Sequence, residues 1–208
     1  ALGEVLKKNK SVFILSDDIY EHITYDDFKF FTIAQIKELK DRTLTMNGVS
    51  KSYAMTGWRI GYAGGPKEII KAIRKVQSQS TSNPSSVSQA AAVEALNGNQ
   101  KFIKTRSKEF KKRRDFVVSS LNKIKGINCL TPNGAFYVFP SCTKLLGKKT
   151  KLKTDSEFVE KLLEKANVAV VQGSAFGLPG YFRISYATSM KNLKKAMERI
   201  KIFCESLS

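Results

Sequence analysis

Residues 11–16 read Ser-Val-Phe-Ile-Leu-Ser, a short β-branched and aromatic run that stops at Asp17-Asp18-Ile19-Tyr20. Such a run, bounded by acidic residues, reads as a buried strand. In open parallel sheets, ligands gather at the carboxyl ends of strands. Asp17 and Tyr20 stand at such an end. Their carboxylate and phenol are candidate ligand contacts there; the alternative is that Asp17 and Asp18 cap a turn.

The second constraining segment is Asn-Gly-Val-Ser-Lys-Ser-Tyr-Ala-Met-Thr-Gly-Trp-Arg-Ile-Gly-Tyr, residues 47–62. An amine that attacks a carbonyl needs a close-packed pocket that holds it still and partly desolvates it, because only the unprotonated form is a nucleophile. Gly48, Ser50, Ser52 and Ala54 leave such room around Lys51. Arg59, at a turn between Gly57 and Gly61, carries a planar fork suited to gripping a phosphate through two parallel hydrogen bonds. A lysine for an aldehyde and an arginine for a phosphate point to pyridoxal phosphate. On that reading Asp17 pairs with a protonated pyridine nitrogen and Tyr20 donates to the ring oxygen. The alternative is a solvated loop lysine in a lysine-rich chain.

Downstream, Pro66 stands in the first turn of a helix with Ile69, Ile70, Ile73 and Val76 on one stripe. An apolar helix over 85–96 follows, ended by Gly98. Residues 101–124 read as one long charged helix with a seam of Phe110, Phe116, Val117, Leu121 and Ile124, and its basic block 108–114 reads as a solvated face. The remainder alternates: a strand over 135–139, a helix opened by the capping box Thr154 to Glu157, strands near 168–171 and 182–186, and a closing helix through Leu193, Met197 and Ile200.

Composition narrows the classes. With 208 residues, 42% hydrophobic and 26% charged, the chain can bury a core typical of a soluble globular protein. No signal peptide or membrane span is legible, so the cytoplasm is expected and membrane partners are not. Cys129, Cys142 and Cys204 lack metal-ligand spacing, and a single histidine, His22, disfavours a histidine metal site or a Ser-His-Asp triad. The formal charge of +18 would suit a basic binding domain, but the charge is dispersed, lysine outnumbers arginine and no nucleic-acid motif is present. Nucleic acid is therefore not an expected partner.

Five motifs in order resemble the class I and II aminotransferases of the aspartate aminotransferase family, which are fold-type I pyridoxal-phosphate enzymes. They are Asp-x-x-Tyr at Asp17 and Tyr20; Ser-Lys-x-x-x-Met-x-Gly-Trp-Arg-x-Gly-Tyr around Lys51 and Arg59; Pro-x-Gly-Ala-Phe-Tyr at Pro132 to Tyr137; Gly-Ser-Ala-Phe-Gly at Gly173 to Gly177; and Phe-Arg-Ile-Ser-Tyr-Ala at Phe182 to Ala187. The resemblance implies that Lys51 joins the cofactor aldehyde and shuttles the proton, Asp17 faces the pyridine nitrogen, Tyr20 bonds the ring oxygen and Arg59 holds the phosphate. Arg183 would clamp the substrate α-carboxylate. Many members carry a serine where this chain has Gly48, so other phosphate donors are not assigned. The stretch before Ser82-Asn83-Pro84 has Ser78 where some relatives place a distal-carboxylate arginine, and it looks more like the bacterial aspartate branch, whose members also transaminate prephenate.

The resemblance also implies an α/β fold: the carboxyl-terminal half of the type I transferase fold, with part of a mostly parallel large-domain sheet plus a small α+β domain. Expected segments are 1–100, the end of the large pyridoxal-phosphate-binding domain; 101–124, an interdomain helix; and 125–208, the small domain. The parent would be a homodimer transferring an amino group between an acidic amino acid and a 2-oxo acid. This chain alone would have little activity, and another reaction on the same scaffold, such as that of a lyase, stays open.

Overall fold

The structure, a computed structural model, describes residues 1–207. It contains two compact units, Ala1–Thr105 and Arg106–Ser208.

In the first unit, helix α1 (Leu2–Lys8) leads into strand β1 (Ile14–Asp17). Arg42 ties down the connection. Its guanidinium donates to the Leu6 carbonyl at 2.5 Å, the Asn9 carbonyl at 3.1 Å and the Val12 carbonyl, absorbing carbonyls that the short helix and loop leave without partners. β1 pairs in parallel with β2 (Thr43–Gly48), with Asp17 opposite Met46, and β2 pairs antiparallel with β3 (Gly61–Gly64). The order is β1-β2-β3. A parallel pair needs a long crossover. Here it carries two tight turns, Ile33–Gln35 and Lys37–Arg42, rather than an α-helix.

The expected burial of the run at 11–16 is not met. Alternate strand residues point to one face, and on that face Phe13 is 71% and Leu15 63% exposed. The chain supplies no layer to cover it.

Helix α2 (Lys67–Ser80) follows Pro66, and α3 (Ser86–Asn97) stops at Gly98, whose N–H donates to the Glu94 carbonyl at 2.8 Å. On the α2 stripe Ile69 and Ile70 are half-buried, while Ile73 and Val76 are exposed. The core of this unit gathers Val49, Tyr53, Ile60 and Ala92, with Met55, Ala95, Phe102 and Ile103 packed against it.

Helix α4 (Lys101–Leu121) enters the second unit with Val117, Val118 and Leu121 buried. One member of its basic block departs from the solvated face expected. Arg114 is 2% exposed, donates to the Pro132 carbonyl at 2.9 Å and holds Asp115 Oδ1 through Nε and Nη2 at 2.9 and 2.7 Å. Buried charge is tolerated because it is paired and hydrogen-bonded.

The second sheet has order β4-β6-β5, built from β4 (Tyr137–Val138), β5 (Val171–Gln172) and β6 (Phe182–Ser185), with both pairs antiparallel. β4 is shorter than the strand expected over 135–139, since Ala135 takes a left-handed φ of 58° that breaks the extended run. Helices α5 (Asp155–Ala166) and α6 (Met190–Ser206) pack on this sheet around Phe158, Leu162, Phe182, Ile200 and Phe203. Thr154 Oγ1 accepts the Glu157 N–H at 3.1 Å as anticipated. The return bond goes from the Lys153 N–H to Glu157 Oε2 at 2.6 Å, one residue earlier than in the usual box.

All three cysteines are free and buried. Among the described residues, no helix is long and apolar enough to cross a membrane, and no cluster of His, Cys, Asp and Glu could hold a metal ion.

Candidate active site

Because β1 and β2 run parallel and adjacent, the residues beyond their carboxyl ends emerge at the same edge of the sheet. Asp17 closes β1, and the Asp18 N–H donates to the Met46 carbonyl at 2.9 Å as the chain leaves the sheet. The two acids then diverge. Asp18 is buried and accepts the Ser16 hydroxyl at 2.7 Å, which is the turn-holding role. Asp17 remains exposed, its Oδ1 taking only a long 3.3 Å contact from the Ile19 N–H. Tyr20 is half-buried in the following turn, which the Ile23 N–H closes on the Tyr20 carbonyl at 2.9 Å.

Lys51 occupies the loop that follows β2. Val49, Ser52 and Tyr53 are buried around it, Lys51 itself is half-buried, and the turn closes through Ala54 N–H to the Lys51 carbonyl at 3.2 Å and Met55 N–H to the Val49 carbonyl at 3.3 Å. The loop is thus anchored in the core on both sides of the lysine, which limits where the amine can travel. At Gly48 a side chain is disfavoured for a visible reason: a Cβ there would lie 3.0 Å from the Ile60 carbonyl oxygen. Arg59 follows the turn Thr56–Trp58 in left-handed conformation, φ 55°, is exposed, and donates through Nη1 to the Thr56 carbonyl at 2.7 Å.

Two residues not singled out from the sequence link these pieces. The Asn47 amide donates to Glu21 Oε1 at 2.6 Å, and Asn47 Oδ1 accepts the Gly48 N–H at 2.7 Å. Glu21 Oε1 also lies 3.3 Å from His22 Nε2. Asn47 therefore clamps the loop bearing Tyr20 to the strand end that precedes Lys51. Its place inside the lysine motif was the available signal, but its partner lies on another loop. Burial, and then the Glu21 charge, push the Tyr53 and Tyr62 phenols up, so both stay neutral at ordinary pH. Ser78 is spent within its own helix, donating to the Lys75 carbonyl at 2.8 Å.

In the second unit, Arg183 lies on β6, opposite Val171 of β5. Its guanidinium carbon sits 4.7 Å from the centroid of the Tyr137 ring and 4.5 Å from that of Phe176. Phe176 belongs to the tight turn Gly173–Phe176, and the Ser174 N–H of that turn donates to Oδ2 of buried Asp155 at 2.6 Å. Sequence reading placed Asp155 only inside a capping box.

The donor set fits pyridoxal phosphate: a primary amine held in a loop, an exposed carboxylate and a half-buried phenol at the neighbouring strand end, and an exposed guanidinium fork of which Nη1 is given to the Thr56 carbonyl.

Comparison with known proteins supplies the family. The profile of aminotransferase class I and II matches residues 1–200. Over 212 residues the chain is 60% identical to the aspartate aminotransferase of Rhizobium meliloti (strain 1021), covering 100% of this chain and 52% of that protein. It is 57% identical to the probable aspartate/prephenate aminotransferase of Rickettsia typhi (strain ATCC VR-144 / Wilmington), covering 99% and 53% respectively. A crystal structure of the aspartate aminotransferase from Rhizobium meliloti superposes with a TM-score of 0.95 at 60% identity, covering 99% of this chain and 52% of that one. The chain thus spans about half the length of the relatives it matches, and its α/β architecture is part of the fold-type I transferase fold. With Lys51, Asp17 and Arg59 all inside the matched segment, the chain belongs to the aminotransferase class I and II family, whose members depend on pyridoxal phosphate.

Proposed function

We propose that this chain is part of a pyridoxal-phosphate-dependent aminotransferase that moves an amino group between an acidic amino acid, aspartate foremost, and a 2-oxo acid. The observation that carries the reading is the placement of Lys51 just beyond a strand whose parallel neighbour ends in Asp17. The printed functions of the relatives, aspartate and aspartate/prephenate aminotransferases, support the substrate class.

Each residue then has a task. The cofactor, when bound, supplies an electron sink for the pair released at the substrate α-carbon. Asp17 pairs with the protonated pyridine nitrogen that keeps that sink open, and Tyr20 donates its phenol to the ring oxygen. Arg59 grips the phosphate with its fork. Lys51 Nζ would hold the cofactor through its aldehyde and, once displaced by the substrate amino group, would be the free amine that carries the proton of the substrate α-carbon. Arg183 receives the α-carboxylate, which fixes the orientation of the bond to be broken. Residues 1–100 would contribute the cofactor-binding side and 125–208 the small domain, with 101–124 the helix that joins the large domain to it. The parent acts as a homodimer in the cytoplasm, and the three free cysteines support the reducing compartment.

The test is to add pyridoxal phosphate to the purified chain, reduce with borohydride and map the modified lysine by mass spectrometry. Selective labelling at Lys51 is expected, with K51A abolishing it; labelling scattered over many lysines would defeat the assignment. Amino transfer is read by combining the chain with a polypeptide that supplies the rest of the family fold. Aspartate and 2-oxoglutarate should yield glutamate, whereas release of ammonia without glutamate would mean lyase chemistry.

A further inference from the structure

We infer that Tyr137 and Phe176 are positioning residues that hold the Arg183 guanidinium between their rings as a preorganised carboxylate receptor. The inference rests on the carboxylate role proposed for Arg183.

A guanidinium has five N–H donors and satisfies them most often with carboxylates or carbonyls. Arg183 does neither among the described residues; its contacts are the two ring faces, at 4.7 and 4.5 Å. A ring face attracts the cation without consuming an N–H, so the donors at the edge of the plane stay available for a planar anion. An acidic partner would compete with an incoming carboxylate, and an aliphatic sandwich would fill the space without attracting the charge. Two aromatic faces against the guanidinium avoid both penalties and restrict the rotamers that a long side chain would otherwise lose on binding.

The two rings are themselves braced. Tyr137 is on β4, its ring 4.8 Å from that of Phe136. Phe176 meets the edge of Phe139 at 5.8 Å, and Phe139 stacks on Tyr181 at 5.6 Å. The turn bearing Phe176 is pinned by Asp155 through the Ser174 N–H and begins at Gly173, where a Cβ would collide with the Leu178 carbonyl oxygen. Phe176 therefore presents a fixed face to Arg183.

The experiment titrates succinate, a simple carboxylate probe, onto the full 208-residue chain with nitrogen-15-labelled arginine, following the Arg183 Nε–Hε resonance assigned through R183K. In the unmodified chain that resonance should be displaced by ring currents and move on succinate addition. Y137L and F176L should each weaken succinate roughly three- to tenfold, while Y137F, which keeps the ring, should bind as the parent does. Unchanged affinity in both leucine variants overturns the sandwich and leaves Arg183 as a receptor. A resonance at the unstructured position before any ligand is added also overturns it, without relying on a variant that must fold. No response of Arg183 to succinate in the unmodified chain defeats the carboxylate role, and this inference with it.

Discussion

Replacing Asp155 with alanine tests whether one buried carboxylate organises the turn beside Arg183. Asp155 is 2% exposed, stands in the first turn of α5, and its Oδ2 accepts the Ser174 N–H at 2.6 Å. Truncation leaves a part-buried amide without a partner and removes a negative charge from a helix N-terminus. The first loss costs about 1–3 kcal/mol and the second about 0.3–1 kcal/mol. A total of about 1.3–4 kcal/mol corresponds to roughly tenfold to several-hundredfold in an opening equilibrium. Native-state hydrogen exchange reads this directly: the Ser174 amide in D155A should exchange faster by that factor. D155N, which keeps an acceptor, should lie between the two. The only tryptophan, Trp58, is in the first unit, so its fluorescence serves as an internal control that should not change. If Ser174 exchange in D155A matched the parent, the turn would be held by its glycine geometry alone and the pinning argument would fail.

Two further predictions concern the second unit. T154A removes the hydroxyl that accepts the Glu157 N–H and should cost about 1 kcal/mol, or roughly 4–8 °C in the melting temperature of a unit this size, read by circular dichroism; an unchanged melting temperature would mean that the cap is idle. Burial first pushes the Cys142 and Cys204 thiols up to about 12 from an ordinary 9.0, with the Asp155 charge adding at Cys142 and Cys142 itself adding at Cys204. Since the unfolded chain releases these protons near pH 9 and the folded chain retains them, the stabilisation is full below pH 9 and is lost as pH rises towards 12. The stability of the parent should therefore fall more steeply over that window than that of a C142A/C204A variant, measured by urea unfolding; parallel slopes would refute the assignment.

Much of the candidate site is legible because its groups are carried by local motifs. Lys51 and Arg59 share one loop and Asp17 and Tyr20 one strand end, so each pair falls inside a single short motif through which the resemblance is recognised. Helix ends at Pro66, Gly98 and Thr154 are likewise local, since caps involve backbone groups within one turn. Other features depend on partners distant in the chain. β2 has weak alternation, yet it is the central strand of its sheet. Arg114 looked like one more cation in a basic block until its Pro132 and Asp115 contacts showed it buried. The apolar run before Asp17 reads as core from its composition, yet burial depends on what lies across from a strand, and here Phe13 and Leu15 face outward.

The sequence by itself carried the family and, through the resemblance, a candidate lysine and candidate groups for a pyridine nitrogen, a phosphate and a carboxylate, because the motifs are residue types at fixed short spacing. Only the tertiary structure decided how those groups are held. Asn47 reaches Glu21 across two loops, Asp155 reaches Ser174 from a different element, and Tyr137 and Phe176 close on Arg183 from separate motifs. Hydrogen bonds and ring faces act over a few ångströms of space, and chain separation says nothing about such distances until the fold has closed them.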